Sequence, residues 1–167
     1  MGGTTAKACL IHGGRPFTTN EFEVARVRLG SKGSGYPLRI PALDLIEIGA
    51  GGGSMASVGA LGLLEVGPRS AGADPGPACY GRGGKEPTVT DADLLLGYLA
   101  PDCFLGSDMR LDREAAARAV REHVAEPLGL DLAQAAAGIH RLVDEHMANA
   151  ARVHLLEKGK DPRRWSG

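Results

Sequence analysis

The sequence is short of the residues that mark several common protein classes. Aromatic residues make up only 4% of the chain, and no apolar run approaches the ~18 residues of a membrane span. The net charge is −1, so nothing predicts binding to nucleic acid or to an anionic membrane. The N-terminus has no signal-peptide pattern. The three cysteines lack the spacing of a zinc site or of a redox-active pair; they are Cys9, Cys79 and Cys103. These absences favour a cytoplasmic protein without a metal site.

Glycine is abundant instead, with 25 residues in the 167-residue chain. The densest cluster follows an apolar run in the stretch LIEIGAGGGS, residues 45–54. The apolar run predicts a buried strand, and the glycines predict a tight turn whose backbone N–H groups could bind an anion such as a phosphate. On these residues alone, a tight turn that binds nothing is an equal alternative. The residues concerned are Gly49, Gly51, Gly52, Gly53 and Ser54.

The first half of the chain has the patterns of short strands and loops. Alternating apolar and polar residues predict strands over 6–11 and 22–29, paired antiparallel. Residues 55–58 and 63–66 flank a glycine turn and predict a hairpin. Residues 69–84, rich in glycine and proline, predict a long ordered loop in which Cys79 and Tyr80 pack against the body. Cys79 is interpreted as a buried thiol because no histidine is near it in the sequence.

The second half has helical patterns, so the chain divides into a strand- and loop-rich part, 1–87, and a helical part, 88–167. Thr90 as N-cap and Asp93 at N3 predict a helix that ends near residue 99. Asp112 begins a second predicted helix, which runs to about residue 126. Asp131, with Gln134 three residues later, begins a long third helix that ends at residue 159.

Several residues allow a site interpretation beside a structural one. Asp91 and Asp93 resemble a paired-carboxylate site, but acidic residues in a first helical turn favour capping. The stretch GGGSMA, residues 51–56, fits a dinucleotide fingerprint with Asp74 as its acidic residue, but Gly59 and Gly62 disfavour the helix that must follow. Single arginines in the 69–84 loop, and a lysine and a serine in the 30–35 linker, could bind anions but are typical of solvated loops. These are Arg69, Arg82, Lys32 and Ser34.

The histidines on the predicted helices have no metal-site spacing. Two of them lie two helical turns apart, but no acidic residue completes an H-E-x-x-H site. They are interpreted as packing or surface residues: His123, His140, His146 and His154.

Four blocks together resemble the hydantoinase A / 5-oxoprolinase family, which includes the acetone carboxylase beta subunit. They are MGGTTAK at 1–7, IGAGGGS at 48–54, VGPRSAGADPGPACYGRGG at 66–84 and PTVTDAD at 87–93. The third block is long and unusual, so the resemblance is specific, and it extends over essentially the whole chain. It implies an α/β fold, namely part of the second lobe of an actin-like (ribonuclease H-like) ATPase, with antiparallel strands first and helices after them.

The resemblance also implies a function and a site. Family members use ATP to open a cyclic amide, by phosphorylating its carbonyl oxygen, or to carboxylate a ketone. By position, a phosphate-binding turn is formed by Gly2, Gly3, Thr4 and Thr5, and the nucleotide or substrate cleft is lined by Gly49, Gly51, Gly52, Gly53 and Ser54. The implied cofactors of the full-length parent are ATP and Mg. The implied partners are a small cyclic amide and a hydantoinase B type subunit, and no residue is assigned as catalytic acid or base.

The chain departs from the family pattern in three places. An aspartate precedes the Met-Gly-Gly-Thr block in the family, a first lobe comes before it, and a Gly-Gly-Ala-Gly-Pro turn with further parallel strands comes after it. The sequence therefore predicts a partial domain, 1–167, of a larger enzyme that does not by itself bind ATP tightly or turn over. The alternatives are an inactive anion-binding or subunit-docking module and, more weakly, a Rossmann-like dinucleotide binder.

Overall fold

The computed structural model of the chain describes residues 1–24 and 35–165. Contacts divide the chain into two compact units. The first contains Met1–Ala6 and Ile48–Val153, and the second contains Lys7–Glu47 and His154–Gly167. The fold is mixed α/β: within the described residues, the strands come first in the chain and all the α-helices follow them.

The second unit consists mainly of short antiparallel strand pairs. Strands β2 (Ile11–His12) and β3 (Arg15–Pro16) pair with each other, as do β4 (Thr18–Thr19) with β7 (Ala42–Leu43) and β5 (Phe22–Val24) with β6 (Tyr36–Leu38). Strand β1 (Ala6–Cys9) forms a two-stranded sheet with β8 (Leu45–Ile48).

The predicted pairing of residues 6–11 with 22–29 is wrong in the described residues. Gly13 and Gly14 both have positive φ angles, +58° and +73°, which suit a two-residue hairpin turn. The chain therefore reverses directly after His12, and Ile11 pairs locally with Pro16 instead of with a distant strand. Residues 25–29 of the second predicted strand, and the linker residues Lys32 and Ser34, lie outside the described residues.

Strand β8 is present as predicted, but it is not buried. Its side chains alternate between exposed and half-buried, and Leu45 is 46% exposed. This alternation is typical of a strand with one face toward solvent, because successive side chains point to opposite faces. The prediction of a buried strand from this apolar run is therefore wrong.

The first unit begins, after the glycine-rich turn, with the predicted hairpin. Strands β9 (Ser54–Val58) and β10 (Leu64–Ser70) pair antiparallel, with Val66 opposite Ala56. The second arm is longer than predicted and reaches Ser70, with an irregular register between Val66 and Ser70. A strand follows Ser54 where a dinucleotide fingerprint requires a helix.

The α-helices among the described residues are α1 (Val89–Leu96), α2 (Arg113–Val120), α3 (Glu126–Leu128) and α4 (Leu132–Glu157), with a π-helical turn over Arg121–Ala125. Two predicted N-caps are confirmed. Asp112 accepts the N–H of Ala115 at 2.9 Å, and Asp131 and Gln134 exchange hydrogen bonds at 2.7 and 3.1 Å. None of these helices combines the length and hydropathy of a bilayer-spanning segment.

The predicted start of α1 is two residues too late. Its N-cap is Thr88, which forms a capping box with Asp91 at N3, and the helix ends at Gly97. Thr90 and Asp93 have the right residue types and spacing for a cap, but both side chains bind groups outside the helix. The local sequence contains two overlapping T-x-x-D patterns, and tertiary contacts decide between them.

The core of the first unit lies between its hairpin and its helices. Small and branched side chains from both fill it, including Ala56, Val66, Val89, Val124 and Ile139. A second cluster packs the long loop against α1 and α2, with Cys79 and Leu94 fully buried in it. The interpretation of Cys79 as a buried thiol is confirmed.

Candidate functional site

The N-terminal residues form a turn that lies against the glycine-rich turn. The N–H of Gly2 donates to the carbonyl of Thr5 at 2.9 Å, which closes the first turn. The N–H groups of Gly52 and Gly53 donate to the carbonyls of Gly2 and Gly3, at 2.9 and 2.7 Å. The structure therefore brings together the two segments that the sequence resemblance assigns to one site.

Glycine is required here because the two backbones are close. A Cβ atom on Gly51 would lie 2.5 Å from the carbonyl oxygen of Gly3 and 2.6 Å from the nitrogen of Thr4. A Cβ on Gly53 would lie 2.9 Å from Oγ of Ser70. Gly49 differs, since its Cβ would make only ordinary contacts with Pro68, the nearest at 3.8 Å. The glycines at 51 and 53 therefore allow close approach between segments of the protein itself.

The N–H groups of Gly51, Gly52 and Gly53 are already used within the protein. Gly51 donates to Oγ of Ser54 at 3.0 Å, and Ser54 donates to the carbonyl of Gly51 at 3.0 Å. Gly52 and Gly53 donate to the N-terminal turn. The expectation that these groups are free to bind an anion is not met, and this turn acts as a support for the segment that packs on it.

The N-terminal turn differs from residues 51–53 in the use of its N–H groups. The N–H groups of Gly3 and Thr4 have no acceptor in the part of the chain that the structure describes. Both residues are exposed, and Gly3 has no atom within 4 Å of the position of a Cβ. Adjacent exposed N–H groups in a turn are suited to phosphate oxygens.

The first turn of α1 holds the glycine-rich turn from the other side. Thr90 donates both its N–H and its hydroxyl to the carbonyl of Gly52, each at 2.8 Å. Ala71, at the start of the long loop, donates its N–H to the carbonyl of Gly53 at 2.8 Å. Gly52 and Gly53 therefore have both their donors and their acceptors satisfied.

Asp91 joins the long loop to the same helix. Its side chain is fully buried and accepts four hydrogen bonds, from the N–H groups of Ala78, Cys79 and Thr88 and from the hydroxyl of Thr88, at 2.7–3.2 Å. Burial, and next the charge of Asp91, raise the pKa of the Cys79 thiol well above its usual range. Cys79 is therefore a packing residue and not a nucleophile.

Asp93 belongs to a separate cluster with α4. Its Oδ1 lies 2.8 Å from Nδ1 of His140, whose Nε2 lies 3.3 Å from Oδ2 of Asp144, and the ring of Tyr98 stacks on His140 at 4.8 Å. Burial raises the pKa of Asp93, and the hydrogen bond with His140 opposes that rise. The two aspartates that resembled a paired-carboxylate site thus have different partners. Sequence reasoning missed the pairing of Asp93 with His140, because nothing in the sequence relates positions so far apart.

The other residues considered as anion or metal ligands do not form a binding site among the described residues. Arg69 pairs with Glu86 at 3.1 Å on the surface. Within residues 1–24 and 35–165, no three His, Cys, Asp or Glu side chains are placed to hold a metal ion. His154 is buried, and its Nε2 has no hydrogen-bond partner among the described atoms.

Comparison with known proteins gives consistent matches over the length of the chain. Caprolactamase subunit alpha from Pseudomonas jessenii is 47% identical over 163 residues, which are 98% of this chain and 22% of that protein. The crystal structure of this ATP-dependent caprolactamase superposes with a TM-score of 0.79. The nucleotide-free structure of acetone carboxylase, at 31% identity, also gives 0.79 over 97% of this chain and 22% of that one.

A third relative is 5-oxoprolinase from Saccharomyces cerevisiae, which is 35% identical over 95% of this chain and 12% of its own length. The chain thus spans less than a quarter of these relatives. The sequence profile of the hydantoinase/oxoprolinase family matches residues 1–166, which include the paired turns described above. The resemblance predicted from the four sequence blocks is confirmed, and the chain belongs to the hydantoinase/oxoprolinase family.

Proposed function

We propose that this chain forms the phosphate-binding part of an ATP-dependent enzyme that opens cyclic amides. The observation that supports this most directly is the N-terminal turn, in which the N–H groups of Gly3 and Thr4 have no acceptor among the described residues. Backbone N–H groups in a glycine turn suit a phosphate because no side chain keeps the ligand away. The fold proposed for the whole lobe is actin-like.

The residues divide into a contacting and a supporting set. Gly2, Gly3, Thr4 and Thr5 would contact the phosphates. The second set holds them in place and lines the cleft: Gly49, Gly51, Gly52, Gly53 and Ser54. When bound, ATP supplies the phosphoryl group that turns the carbonyl oxygen of the amide into a leaving group. Magnesium would accompany ATP, but no residue of this chain is assigned to it.

The relatives support an amide substrate and a partner subunit. Caprolactamase and 5-oxoprolinase are named for ring amides, and caprolactamase subunit alpha is by its name one subunit of a larger enzyme. We propose a cyclic amide as substrate and a subunit of the hydantoinase B type as partner of the whole protein.

Ketone carboxylation is the second candidate. The structural match to acetone carboxylase equals the match to caprolactamase in TM-score, 0.79. Acetophenone carboxylase gamma subunit is 48% identical over 128 residues. The first step would be shared, since a ketone enolate oxygen can accept a phosphoryl group as an amide oxygen can.

The phosphate site is tested by nuclear magnetic resonance on the ¹⁵N-labelled chain, titrated with ATP and with inorganic triphosphate. We expect the largest amide shifts at Gly3 and Thr4, because their N–H groups gain acceptors. Adenosine without phosphates is the matched control and should leave both amides unchanged. Triphosphate shifts that occur only elsewhere, or shifts at residues 51–56 with NAD but not with ATP, would contradict the proposal.

The reaction is tested in a chimera, in which this chain replaces the matching segment of caprolactamase subunit alpha. We expect ATP-dependent opening of a lactam in the presence of the partner subunit. A folded chimera that binds ATP but opens no amide would contradict the amide assignment. The equivalent chimera with acetone carboxylase separates the second candidate from the first.

A further inference from the structure

A groove beside the glycine-rich turn has no assigned role. It lies between the end of β10 and the two ends of the long loop, and its volume is about 680 Å³. This volume falls within the range of small-molecule sites, about 300–1,000 Å³. We call it the loop groove; Met55, Ser70, Ala71 and Pro75 are among the residues that line it.

Two backbone hydrogen bonds of Gly53 connect the loop groove to the N-terminal turn. Ala71, which lines the groove, donates its N–H to the carbonyl of Gly53 at 2.8 Å. Gly53 donates its own N–H to the carbonyl of Gly3 at 2.7 Å. A molecule in the groove would therefore lie next to the support of the proposed phosphate turn.

Ser70 gives the loop groove an unused hydrogen-bond donor. Its Oγ accepts the N–H of Gly72 at 3.2 Å, and its own hydroxyl hydrogen has no acceptor among the residues that the structure describes. The same oxygen packs against Gly53, where a Cβ would lie only 2.9 Å away. A hydroxyl in this position suits a carbonyl oxygen, which accepts hydrogen bonds and donates none.

The rest of the lining favours an uncharged ligand. Met55, Ala71 and Pro75 offer apolar surface for a ring. The positive and negative charges of the lining are equal in number. Arg69 forms an ion pair with Glu86 at 3.1 Å, and the other two charged residues have opposite signs. These two are Asp74 and Lys85. A balanced lining gives no net attraction to a ligand carboxylate.

We propose that the loop groove binds the substrate, a small uncharged ring amide, with its carbonyl oxygen on the hydroxyl of Ser70. This inference rests on the proposed function, and it narrows the substrate class to rings without a carboxylate. The ring would pack against Met55 and Pro75, with the carbonyl toward Gly53 and the N-terminal turn.

The test compares two ligands that differ only by one carboxylate, 2-pyrrolidinone and 5-oxoproline, each titrated into the chain labelled with ¹⁵N and with ¹³C at the methionine methyl groups. We expect 2-pyrrolidinone to shift the Met55 methyl group and the amides of Ser70 and Ala71, and 5-oxoproline to bind more weakly. Ser70→Ala should weaken 2-pyrrolidinone binding roughly three- to ten-fold, since it removes one hydrogen bond. Ser57→Ala, on the exposed face of β9, is the matched control and should have no effect.

A charge variant tests the specificity separately. Glu86→Gln leaves Arg69 without its ion-pair partner, so 5-oxoproline should then bind better than to the unaltered chain while 2-pyrrolidinone is unaffected. The inference is overturned if neither ring shifts the groove residues, if Ser70→Ala changes nothing, or if 5-oxoproline binds the unaltered chain as tightly as 2-pyrrolidinone. Triphosphate shifts at Gly3 and Thr4 report on the proposed function independently, so the two ideas can fail separately.

Discussion

Thr90 donates two hydrogen bonds to the same carbonyl oxygen of Gly52, one from its N–H and one from its hydroxyl, both at 2.8 Å. Thr90→Val removes the hydroxyl and keeps the shape of the side chain. We expect a loss of about 1 kcal/mol in the free energy of unfolding, typical of one buried hydrogen bond. Urea denaturation followed by circular dichroism measures this. Thr90→Ser keeps the hydroxyl and should lose less; equal losses would show that the hydroxyl is not used.

Gly51→Ala tests the close approach of the two turns. The new methyl group would lie 2.5 Å from a backbone oxygen, so the N-terminal turn must move, and we expect destabilisation of about 1–3 kcal/mol. Gly49→Ala is the matched control in the same turn, because its nearest contact would be an ordinary 3.8 Å. The same denaturation measurement applies. If the two variants are equally stable, the turns are not packed as described.

Asp91→Ala should be among the most damaging single changes in the chain. It leaves three buried N–H groups and one hydroxyl without their acceptor, which costs about 3 kcal/mol or more. Asp112→Ala removes the exposed N-cap side chain of α2 and should cost only about 1 kcal/mol. Thermal or urea unfolding of the two variants measures the difference. Similar losses would contradict the central role of the Asp91 carboxylate.

Asp93 should make stability depend on pH in the acid range. Burial raises its pKa in the folded protein above the ordinary value of 3.8, so the folded state binds the proton more readily than the unfolded chain. The contribution of Asp93 to the free energy of unfolding is therefore fully present below the ordinary pKa. This contribution is lost as the pH rises through the pKa of Asp93 in the folded protein. Urea unfolding at a series of pH values measures this loss. Across this pH interval, the free energy of unfolding of Asp93→Asn should rise relative to that of the unaltered protein.

His140→Gln supplies the control for that prediction. The hydrogen bond and charge of His140 lower the pKa of Asp93 against the effect of burial. Without them, the loss of stability should extend to higher pH. An unchanged pH profile in both variants would mean that Asp93 is solvated in the folded protein.

The two cysteines at 79 and 103 should differ sharply in reactivity. Burial and the nearby Asp91 raise the pKa of the Cys79 thiol, whereas Cys103 is exposed. Because the thiolate is the reactive form, iodoacetamide should label Cys103 in the folded protein and Cys79 only after unfolding. Peptide mapping by mass spectrometry follows both sites. Equal labelling of the folded protein would contradict the packing of the long loop.

The features predictable from sequence were those decided by neighbouring residues. The caps at Asp112 and Asp131, the β9–β10 hairpin and the buried Cys79 all follow from local patterns. The start of α1 did not, because Thr88 and Thr90 each precede an aspartate by three residues. Contacts with residues distant in sequence, of Thr90 with Gly52 and of Asp91 with Ala78 and Cys79, decide which threonine caps the helix.

The contact between the two glycine turns was not predictable from the sequence in its hydrogen bonds, although the resemblance selected both turns. In the glycine-rich turn, where exposed N–H groups were expected, those of Gly52 and Gly53 proved to donate to Gly2 and Gly3. A glycine that allows a ligand to approach and a glycine that allows another segment to approach look the same in a sequence. The distinction requires the position of the N-terminal turn.

The first compact unit is interrupted in the chain by Lys7–Glu47. Its two flanking residues, Ala6 and Ile48, belong to strands that pair with each other. In terms of chain topology, the intervening segment is an insertion. A gene in which a short glycine-serine linker replaces this insertion would bring the N-terminal turn close in sequence to its support. On folding, such a protein would close a shorter loop between the N-terminal turn and its support, and it would keep the paired turns for ligand studies.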